Sequence, residues 1–442
     1  MWTDEDAAVA AAYRVDVDLW RSGFDEVLDR IAPRFGRCEP LRNAGALMLG
    51  LVSDIGRKNC WTLAERCGHA SPDRMQHLLS RAKWDADGVR DDLRAYVVDH
   101  LGDDDAILIV DETGDLKKGT HTVGTQRQYT GTAGRIENAQ VAVYLAYAGS
   151  TSHALVDREL YLPQAWIDDA ERRERGGVPA DVEFATKPEL ATRMITRAVA
   201  AGTPARWATG DEVYGADPDL RAGIATLGLG YVLAVGSNRT VTTSAGTVRV
   251  DQLTRSLPRR AWRRVSAGTG TKGQRWYSWA LVEITDIAPG QHHLLARRND
   301  KTGELAYYRC YSPDSVTLAD YVRVAGRRWK VEESFQTGKG LAGLDEHQVR
   351  TWTSWHRWVS LAMLAHAFLV ITTAAQRRPE QVDNNAAHTL ITLTVNEFRR
   401  LFVGLLLRPL HTVADILAWS RWRRRHQARA RACHHHKQHQ QQ

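Results

Sequence analysis

The sequence predicts an α/β protein that is helical at both ends and rich in strands in between. The first hundred residues have helical patterns, short apolar runs typical of buried strands follow Gly102, and helical spacing returns at Leu318. At 442 residues the chain is longer than one compact domain, so we expect two to four structural units. Its 43% hydrophobic and 25% charged residues are typical of globular rather than disordered protein.

The first segment, residues 1–102, is predicted to be a helical DNA-binding domain. Two short helices, over about 61–67 and 72–81, are joined by a tight turn that begins at Gly68. This arrangement resembles a helix-turn-helix, in which basic side chains contact DNA phosphates. The candidates are Arg57, Lys58, Arg74 and Arg81. Such helix pairs also occur in many α-helical domains, so a purely structural role stays open.

Strands and helices alternate after this segment. Residues 106–110 form a continuous apolar run, as expected for a strand buried on both faces. Apolar stretches at 140–148 and 152–162 are predicted to be its neighbours, and a helix, a strand, a helix and a strand then follow up to Val235. This order of three strands, helix, strand, helix and strand is that of a ribonuclease H-like core.

A β-strand-rich insertion is predicted to interrupt this core, because four strand-like stretches are joined there by Gly-rich or polar turns. The first of them covers 240–250. Beyond the core we expect a helical C-terminal region with a basic tail, disordered from Arg421 onward. The predicted segments are 1–102 (helical N-terminal domain), 103–236 (core, first part), 237–312 (β-rich insertion), 313–375 (core, second part with the Glu-bearing helix) and 376–442 (helical C-terminal region).

The positive charge is concentrated in one segment. The chain has a net charge of +7, and from Arg255 to Lys330 there are 15 Lys and Arg against 6 Asp and Glu. This local excess exceeds the charge of the whole chain, as a docking surface for nucleic-acid phosphates requires. A general enrichment in arginine, unrelated to function, is the alternative.

Several features point to the reducing cytoplasm. The five cysteines are odd in number and contain no C-x-x-C pair, so a disulfide framework is not expected. Met1 is followed by acidic residues rather than by the basic and apolar regions of a signal peptide. The most apolar stretch, 359–372, is too short to span a bilayer and is predicted to be a buried core helix.

Two aspartates follow predicted strands. Asp111 comes directly after residues 106–110, and Asp211 follows Gly210 and a predicted strand over 206–209. Carboxylates at the ends of adjacent strands can hold two Mg²⁺ ions about 4 Å apart, the arrangement used for phosphodiester transfer. An aspartate after an apolar strand is also often a helix cap or turn residue, so either residue alone is ambiguous.

A third carboxylate, Glu332, falls in a helix predicted over 327–339. Arg328 lies four residues before it and Lys339 seven residues after it, so all three share one helical face. A carboxylate between two cations can bind metal while the cations hold phosphate. A solvated face with an ordinary ion pair has the same spacing.

This segment resembles the Y-x2-R-x3-E-x6-K signature of bacterial cut-and-paste DDE transposases. The Arg, Glu and Lys of the signature match Arg328, Glu332 and Lys339. The Tyr falls on Ala325, so its contact is lost or supplied by another residue. Glu333 competes for the carboxylate position, and the seven-residue spacing to Lys339 favours Glu332.

Other segments are similar to an insertion-sequence subgroup of these DDE transposases. The resemblance covers roughly residues 40–375, and its three acidic motifs have the order of that family. The similar segments are 57–61, 111–124 followed by 127–129, 210–215, and 343–345 followed by 349–355.

The resemblance implies a DNA transposase that cuts at transposon ends and transfers the strands into target DNA. Asp111, Asp211 and Glu332 would be the catalytic residues and would hold two Mg²⁺ (or Mn²⁺) ions, which activate water and then a 3′-hydroxyl for in-line attack. Terminal inverted repeats and target DNA would be its partners on the cytoplasmic nucleoid. Two ends must be joined, so a homodimer is expected.

The resemblance also implies further DNA contacts. Arg328 and Lys339 would hold phosphates at the cut, and Lys117, Lys118 and Arg127 would contact the terminal repeat. An aromatic residue of the insertion could stack on a displaced base. The candidates are Trp262, Trp276, Trp279, Tyr307 and Tyr308, of which Tyr307 lies nearest the expected position. Packing in a β-sheet core is the alternative for each.

Two other functions remain open. A plain metal-dependent nuclease would share the carboxylates but lack strand transfer. A domesticated, inactive DNA-binding regulator would bind DNA without cutting it, although all three acidic residues and the Arg/Lys pair are present.

Overall fold

The computed structural model describes residues 16–270, 273–286, 289–380, 392–407 and 413–440. Within these residues, five α-helices precede the first strand, and apolar side chains of all five lie in the main hydrophobic core. These helices are α1 (Val17–Ile31), α2 (Cys38–Val52), α3 (Cys60–Arg66), α4 (Asp73–Ser80) and α5 (Ala86–Leu101). The predicted helix pair is present as α3 and α4, separated by Gly68 in the left-handed region at φ +72°.

A ten-stranded mixed sheet forms the centre of the molecule, so the prediction of an α/β protein is confirmed. Its strand order is β2-β3-β1-β5-β6-β12-β11-β10-β9, with β4 paired to β3 beside β2. Pairs β1–β5 and β5–β6 are parallel and the other pairs are antiparallel. The strands are β1 (Ile107–Leu116), β2 (Gln126–Thr130), β3 (Arg135–Ala148), β4 (His153–Leu160), β5 (Trp207–Gly210), β6 (Gly230–Val235), β9 (Arg263–Gly270), β10 (Gly273–Glu283), β11 (Gln291–Arg298) and β12 (Leu305–Ser312).

The strand-rich segment continues the central sheet. β12 pairs with β6, with Tyr308 opposite Ala234. The single strand predicted over 240–250 is wrong: a separate hairpin, β7 (Thr240–Thr243) and β8 (Gly246–Arg249), occupies the region and is followed by a helix. Gly246, at φ +116°, allows the chain to turn back there.

Helices cover the sheet and connect its strands. Those between β4 and β9 are α6 (Gln164–Ile167), α7 (Ala170–Gly176), α8 (Lys187–Ala200), α9 (Glu212–Gly215), α10 (Pro218–Thr226) and α11 (Val250–Ser256). Those after β12 are α12 (Leu318–Arg327), α13 (Lys330–Ala342), α14 (Trp352–Glu380), α15 (Val395–Leu406) and α16 (Val413–Gln440). Two 3-10 turns, Ala32–Arg34 and Arg259–Ala261, complete the described elements.

Helix α14 is the central core helix. It is longer than the sequence suggested, since its apolar part Trp352–Arg377 has the length and hydropathy of a membrane span. However, 89% of its most apolar stretch is buried inside the fold. It packs against α2, α5 and β4, so the predicted buried core helix is confirmed.

The disordered tail predicted from Arg421 onward is wrong, because α16 continues to Gln440. Arg, Ala and Gln are strong helix formers, so this polar sequence can remain helical. The start of the tail is also anchored by Trp419, which is 4% exposed.

Candidate active site

Asp111 on β1 and Asp211, the residue directly after β5, occupy matching positions along two neighbouring parallel strands. β1 and β5 pair with Ile109 opposite Thr209, and each aspartate lies two residues further along its own chain. Parallel strands are about 4.8 Å apart, so the two carboxylates start from adjacent backbone positions. The sequence-based expectation that the first strand ends before Asp111 is wrong, since β1 continues to Leu116.

Asp111 lies in a crowded acidic environment. Its side chain is 13% exposed. Burial raises the pKa of its carboxyl to about 7, Asp211 and Glu112 add to the rise by repulsion, and Arg328 opposes it. At neutral pH both the ionised and the protonated form of this carboxyl are therefore populated. A bound cation would favour the ionised form.

Asp211 is the N-cap of the short helix α9. Its carboxylate accepts a hydrogen bond from the backbone N–H of Val213 at 2.8 Å. The sequence left open whether Asp211 caps a helix, and in the structure it does. Burial raises the pKa of Asp211, and repulsion by Glu112 adds to the rise. A carboxylate has two oxygens, so capping does not prevent Asp211 from binding a cation as well.

Glu112 is a further carboxylate beside this pair that the sequence did not single out. The ammonium of Lys187 donates to its Oε1 at 2.6 Å, and the hydroxyl of Tyr214 donates to its Oε2 at 2.6 Å. Glu112 therefore ties β1 to α8 and α9. Its place next to Asp111 is the only sequence signal for this role.

Arg328 joins Asp111 to Glu332. One guanidinium nitrogen lies 3.5 Å from Asp111 Oδ2, and the other donates to Glu332 Oε1 at 2.8 Å. The single helix predicted over 327–339 is interrupted by a turn at Arg328 and Trp329, between α12 and α13. Both residues keep helical backbone angles, so Arg328 still reaches Glu332 four residues later.

Glu333, the competing carboxylate, is bound elsewhere. Its Oε2 accepts a hydrogen bond from Lys330 at 2.7 Å and lies 3.2 Å from Nε2 of His153. Hydrogen bonding to His153, followed by that to Lys330, lowers the pKa of Glu333 to about 2. Of the two adjacent glutamates, it is Glu332 that is linked to Asp111, because both contact Arg328.

Lys339 lies over the same strand as Arg328. Its ammonium donates to Thr113 Oγ1 at 2.8 Å and lies 3.7 Å from Asp115 Oδ1. Asp111, Thr113 and Asp115 alternate along β1 and so face the same side of the sheet. The segment from Arg328 to Lys339 thus runs along one face of β1.

Asp115 is the centre of a second charge cluster that the sequence did not predict. Its Oδ2 lies 3.0 Å from Nε2 of the buried His347 and 3.9 Å from the Lys117 ammonium. Hydrogen bonding to His347 and the nearby cations hold the pKa of Asp115 below its usual range, despite burial. Lys117 therefore faces the protein, whereas Lys118 and Arg127 are exposed to solvent.

Lys58 cannot serve as the phosphate contact proposed for it. Its side chain is 5% exposed, and its ammonium lies 3.5 Å from Glu346 Oε1. Its backbone N–H also donates to Glu346 Oε2 at 2.6 Å. Lys58 therefore joins the N-terminal helices to the segment after α13. Arg57, Arg74 and Arg81 are exposed.

A cavity of about 410 Å³ opens beside Asp211. Its walls are rich in arginine and aromatic side chains, which suits a negatively charged, planar ligand. These include Arg275, Arg297, Arg328, Tyr277, Trp279 and Tyr308. The exposed Trp329 stands at its edge and was not predicted.

The aromatic candidates differ in position. Tyr307 packs in a small core with Val235 and Val241 and does not line this cavity, whereas its neighbour Tyr308 does. Trp276 is 49% exposed, with the guanidinium of Arg264 over its ring. Adjacent strand residues face opposite sides of the sheet, and the sequence alone could not show which side faces the cavity.

No three His, Cys, Asp or Glu side chains within the described residues form a group that could hold a metal ion as they stand. The ion pair with Arg328 occupies Oε1 of Glu332 and approaches Oδ2 of Asp111. Arg328 thus competes with a cation for one oxygen of each of these two carboxylates, and the second oxygen of each is not in contact with Arg328.

The family model for DDE superfamily endonucleases matches residues 30–279. This is more than half of the chain, which therefore belongs to that family. The resemblance recognised in the acidic motifs is confirmed.

A probable transposase and a solved transposase structure are among the proteins similar to this chain. A probable transposase for insertion sequence element IS701 from Microchaete diplosiphon is 32% identical over 198 residues, which cover 44% of this chain and 49% of that protein. The match thus spans about half the length of this relative. A cryo-EM structure of the piggyBac transposase synaptic complex with hairpin DNA superposes over 92% of this chain and 85% of the other, with 14% identity and a TM-score of 0.43. That score is too low to decide the fold.

Proposed function

We propose that this protein is an insertion-sequence transposase that cuts DNA at the ends of its element and joins those ends to target DNA. One observation carries the proposal. Asp111 and Asp211 stand at matching positions of adjacent parallel strands, and Arg328 connects Asp111 to Glu332. The family membership and the IS701-type relative support the same activity.

The proposed core is ribonuclease H-like. Three features of the sheet support this: β1, β3 and β4 are antiparallel neighbours, β5 and β6 follow in parallel on the other side of β1, and Glu332 comes from a helix after the strand-rich segment. On this proposal, 103–236 and 313–375 form the core and 237–312 is an insertion that lengthens its sheet.

Two Mg²⁺ or Mn²⁺ ions fit the donor set of Asp111, Asp211 and Glu332. Hard divalent cations prefer carboxylate oxygens. Burial, with repulsion by neighbouring carboxylates, raises the pKa values of the two aspartates, and a bound cation would offset this by favouring their ionised forms. When bound, such ions activate the attacking oxygen and stabilise the leaving oxygen of a phosphodiester.

Arg328 and Lys339 have a direct role in this proposal. Both lie over β1, where a scissile phosphate would approach the carboxylates. If Arg328 released its carboxylates, its guanidinium could form a bidentate contact with a phosphate. Lys118 and Arg127, both exposed after the first catalytic aspartate, would contact the terminal inverted repeat. Lys117 would have to turn away from Asp115 to do so.

The partners of the proposed reaction are the terminal inverted repeats and the target DNA. Because two ends must be brought together, we propose a homodimer in the complex that joins them. The protein would act on the cytoplasmic nucleoid.

The test is cleavage of duplex DNA carrying the element ends, identified from inverted repeats that flank the gene. Wild type should cut the ends in Mg²⁺ and join them to a target duplex, and Asp111→Ala should do neither. Cleavage without joining would favour a plain nuclease, and binding without cleavage a regulator. Full activity of Asp111→Ala would exclude the proposed site.

A further inference from the structure

Helix α16 is a second concentration of positive charge. From Trp419 to Cys433 it contains six arginines and no aspartate or glutamate. The segment from Arg255 to Lys330 already exceeds the net charge of the whole chain, so the remainder outside both segments is net negative. A general enrichment in arginine would spread the charge evenly and does not explain this distribution.

One face of α16 is fixed against the N-terminal helices. The indole of Trp422 packs edge-on against Trp61 of α3 at 4.9 Å between ring centroids, and His426 packs against the same ring at 4.8 Å. The indole N–H of Trp419 donates to the carbonyl of His69 at 2.9 Å. Arg423 pairs with Glu65 of α3. These four residues of α16 are spaced three and four apart and form the face that packs on the N-terminal helices, with Trp419 buried and His426 still exposed at the edge.

Four of the other five arginines of this segment point away from this contact. At 100° per residue, Arg421, Arg424, Arg425 and Arg431 fall on the side opposite Trp419, Trp422 and His426, whereas Arg429, three residues after His426, lies at the edge of the packed face. All are exposed, and none has an ion-pair partner among the residues that the structure describes. They are Arg421, Arg424, Arg425, Arg429 and Arg431.

We propose that this arginine face of α16 is a docking surface for the phosphate backbone of duplex DNA. The inference rests on the proposed function, which supplies the DNA, and it adds a binding surface outside the carboxylate site. Together with Arg57 and Arg74, exposed on the adjacent α3–α4 unit, the face would extend DNA contact over the N-terminal helices.

The chemistry of the face favours a polyanion over a membrane. A membrane-surface helix pairs its cationic face with a free apolar face that enters the bilayer. In α16 the aromatic face is already used for packing on α3. Arginine also binds phosphate oxygens through two parallel N–H groups, and several such contacts along one helix match a repeating phosphate backbone.

The experiment measures binding of a labelled duplex of about 30 base pairs by fluorescence anisotropy across a salt series. A variant with Arg424, Arg425, Arg429 and Arg431 changed to Gln keeps strong helix formers at all four positions. Each lost phosphate contact lowers the slope of log affinity against log salt by about 0.9. We expect the slope to fall by about 2–4 and the affinity at moderate salt to fall at least about tenfold.

The matched control changes the same four arginines to Lys, which keeps the charge and should retain most of the slope. Circular dichroism and tryptophan emission of both variants check that α16 stays folded on α3. Unchanged affinity and slope in a folded Gln variant would overturn the proposal, as would binding of α16 to phosphatidylserine vesicles instead of DNA. Mg²⁺-dependent cleavage by wild type is measured separately, so a failure of the catalytic proposal, seen as absent cleavage with an unchanged salt slope, is distinguished from a failure of this surface.

Discussion

The guanidinium of Arg328 lies 3.5 Å from Asp111 Oδ2 and 2.8 Å from Glu332 Oε1, and so connects a strand carboxylate to a helix carboxylate. This contact holds the N-terminal end of α13 against β1, while Lys339 holds the other end through Thr113. The helix that carries Glu332 is therefore fixed to β1 at two points, Asp111 and Thr113. In the proposed reaction, the same two cations exchange these protein contacts for DNA phosphates.

Replacing Arg328 should shift the pH dependence of cleavage. Arg328 lowers the pKa of Asp111, so Arg328→Gln moves that pKa above its present value of about 7. The ionised form that binds metal then requires a higher pH. We expect slower cleavage at neutral pH and a rising limb of the pH–rate profile displaced upward. An unshifted profile with normal rates would show that Arg328 does not act on Asp111.

The two adjacent glutamates provide a matched pair. Glu332→Gln should reduce Mg²⁺-dependent cleavage by at least the roughly 10–100-fold typical even of residues that support metal ligands. Glu333→Gln should stay within a few-fold of wild type, because Glu333 contacts His153 and Lys330 instead. Single-turnover cleavage rates compare the two, and the reverse order of effects would move the third carboxylate to Glu333.

Asp111→Asn should stabilise the metal-free protein at high pH. The pKa of Asp111 is raised in the folded state, so the stability of the folded state is lost as pH rises from about 4 through about 7. The Asn variant has no such loss. With EDTA at pH 8 we expect its free energy of unfolding to exceed that of wild type by about 1–3 kcal/mol.

Near pH 4 this difference should be much smaller, because the carboxyl is then protonated in the folded state and about half protonated in the unfolded state. Added Mg²⁺ should stabilise wild type and not Asp111→Asn. If the two proteins have equal melting temperatures at both pH values in EDTA, the raised pKa of the Asp111 carboxyl is contradicted.

Asp115→Asn should weaken catalysis without weakening DNA binding. Asp115 faces Lys339 and His347, so its loss removes the charge that helps to hold the far end of α13 and leaves Thr113 as the contact of Lys339 on β1. We expect a roughly tenfold lower rate of single-turnover cleavage with an unchanged dissociation constant for the end duplex, about 1.4 kcal/mol of transition-state stabilisation. Thr113→Val, which removes only the hydroxyl contact of Lys339, serves as the milder control.

The sequence predicted what depends on local pattern. Apolar runs located the central strands, and the spacing of Arg328, Glu332 and Lys339 predicted that they share one helical face. Despite the turn at Trp329, Arg328 and Lys339 both contact β1 and Arg328 contacts Glu332. Helical geometry alone determines contacts four residues apart, so the Arg328–Glu332 pair follows from the sequence.

The partners of residues far apart in the chain could not be predicted in this way. Lys58 pairs with Glu346, and Asp115 with His347, only because the N-terminal helices, β1 and the segment after α13 meet in one core. Likewise, the packing of Tyr307 depends on which side of β12 faces the cavity, which strand alternation leaves undetermined.

The prediction of disorder for the segment that forms helix α16 failed for the same reason. Its composition suggested a solvated tail, but Trp419 and Trp422 fix it to α3, a contact between residues more than 300 positions apart in the sequence. Composition indicates how well a segment is solvated. It does not show whether another part of the fold packs against that segment and orders it.

The central claim is that Asp111, Asp211 and Glu332 hold the same metal ions, and Mn²⁺ binding to the protein–DNA complex tests it most directly. Electron paramagnetic resonance titration should count two tightly bound ions per chain in wild type and in Glu333→Gln. Asp111→Asn, Asp211→Asn and Glu332→Gln should each lose at least one of them. Full Mn²⁺ binding by any of these three variants would contradict the account.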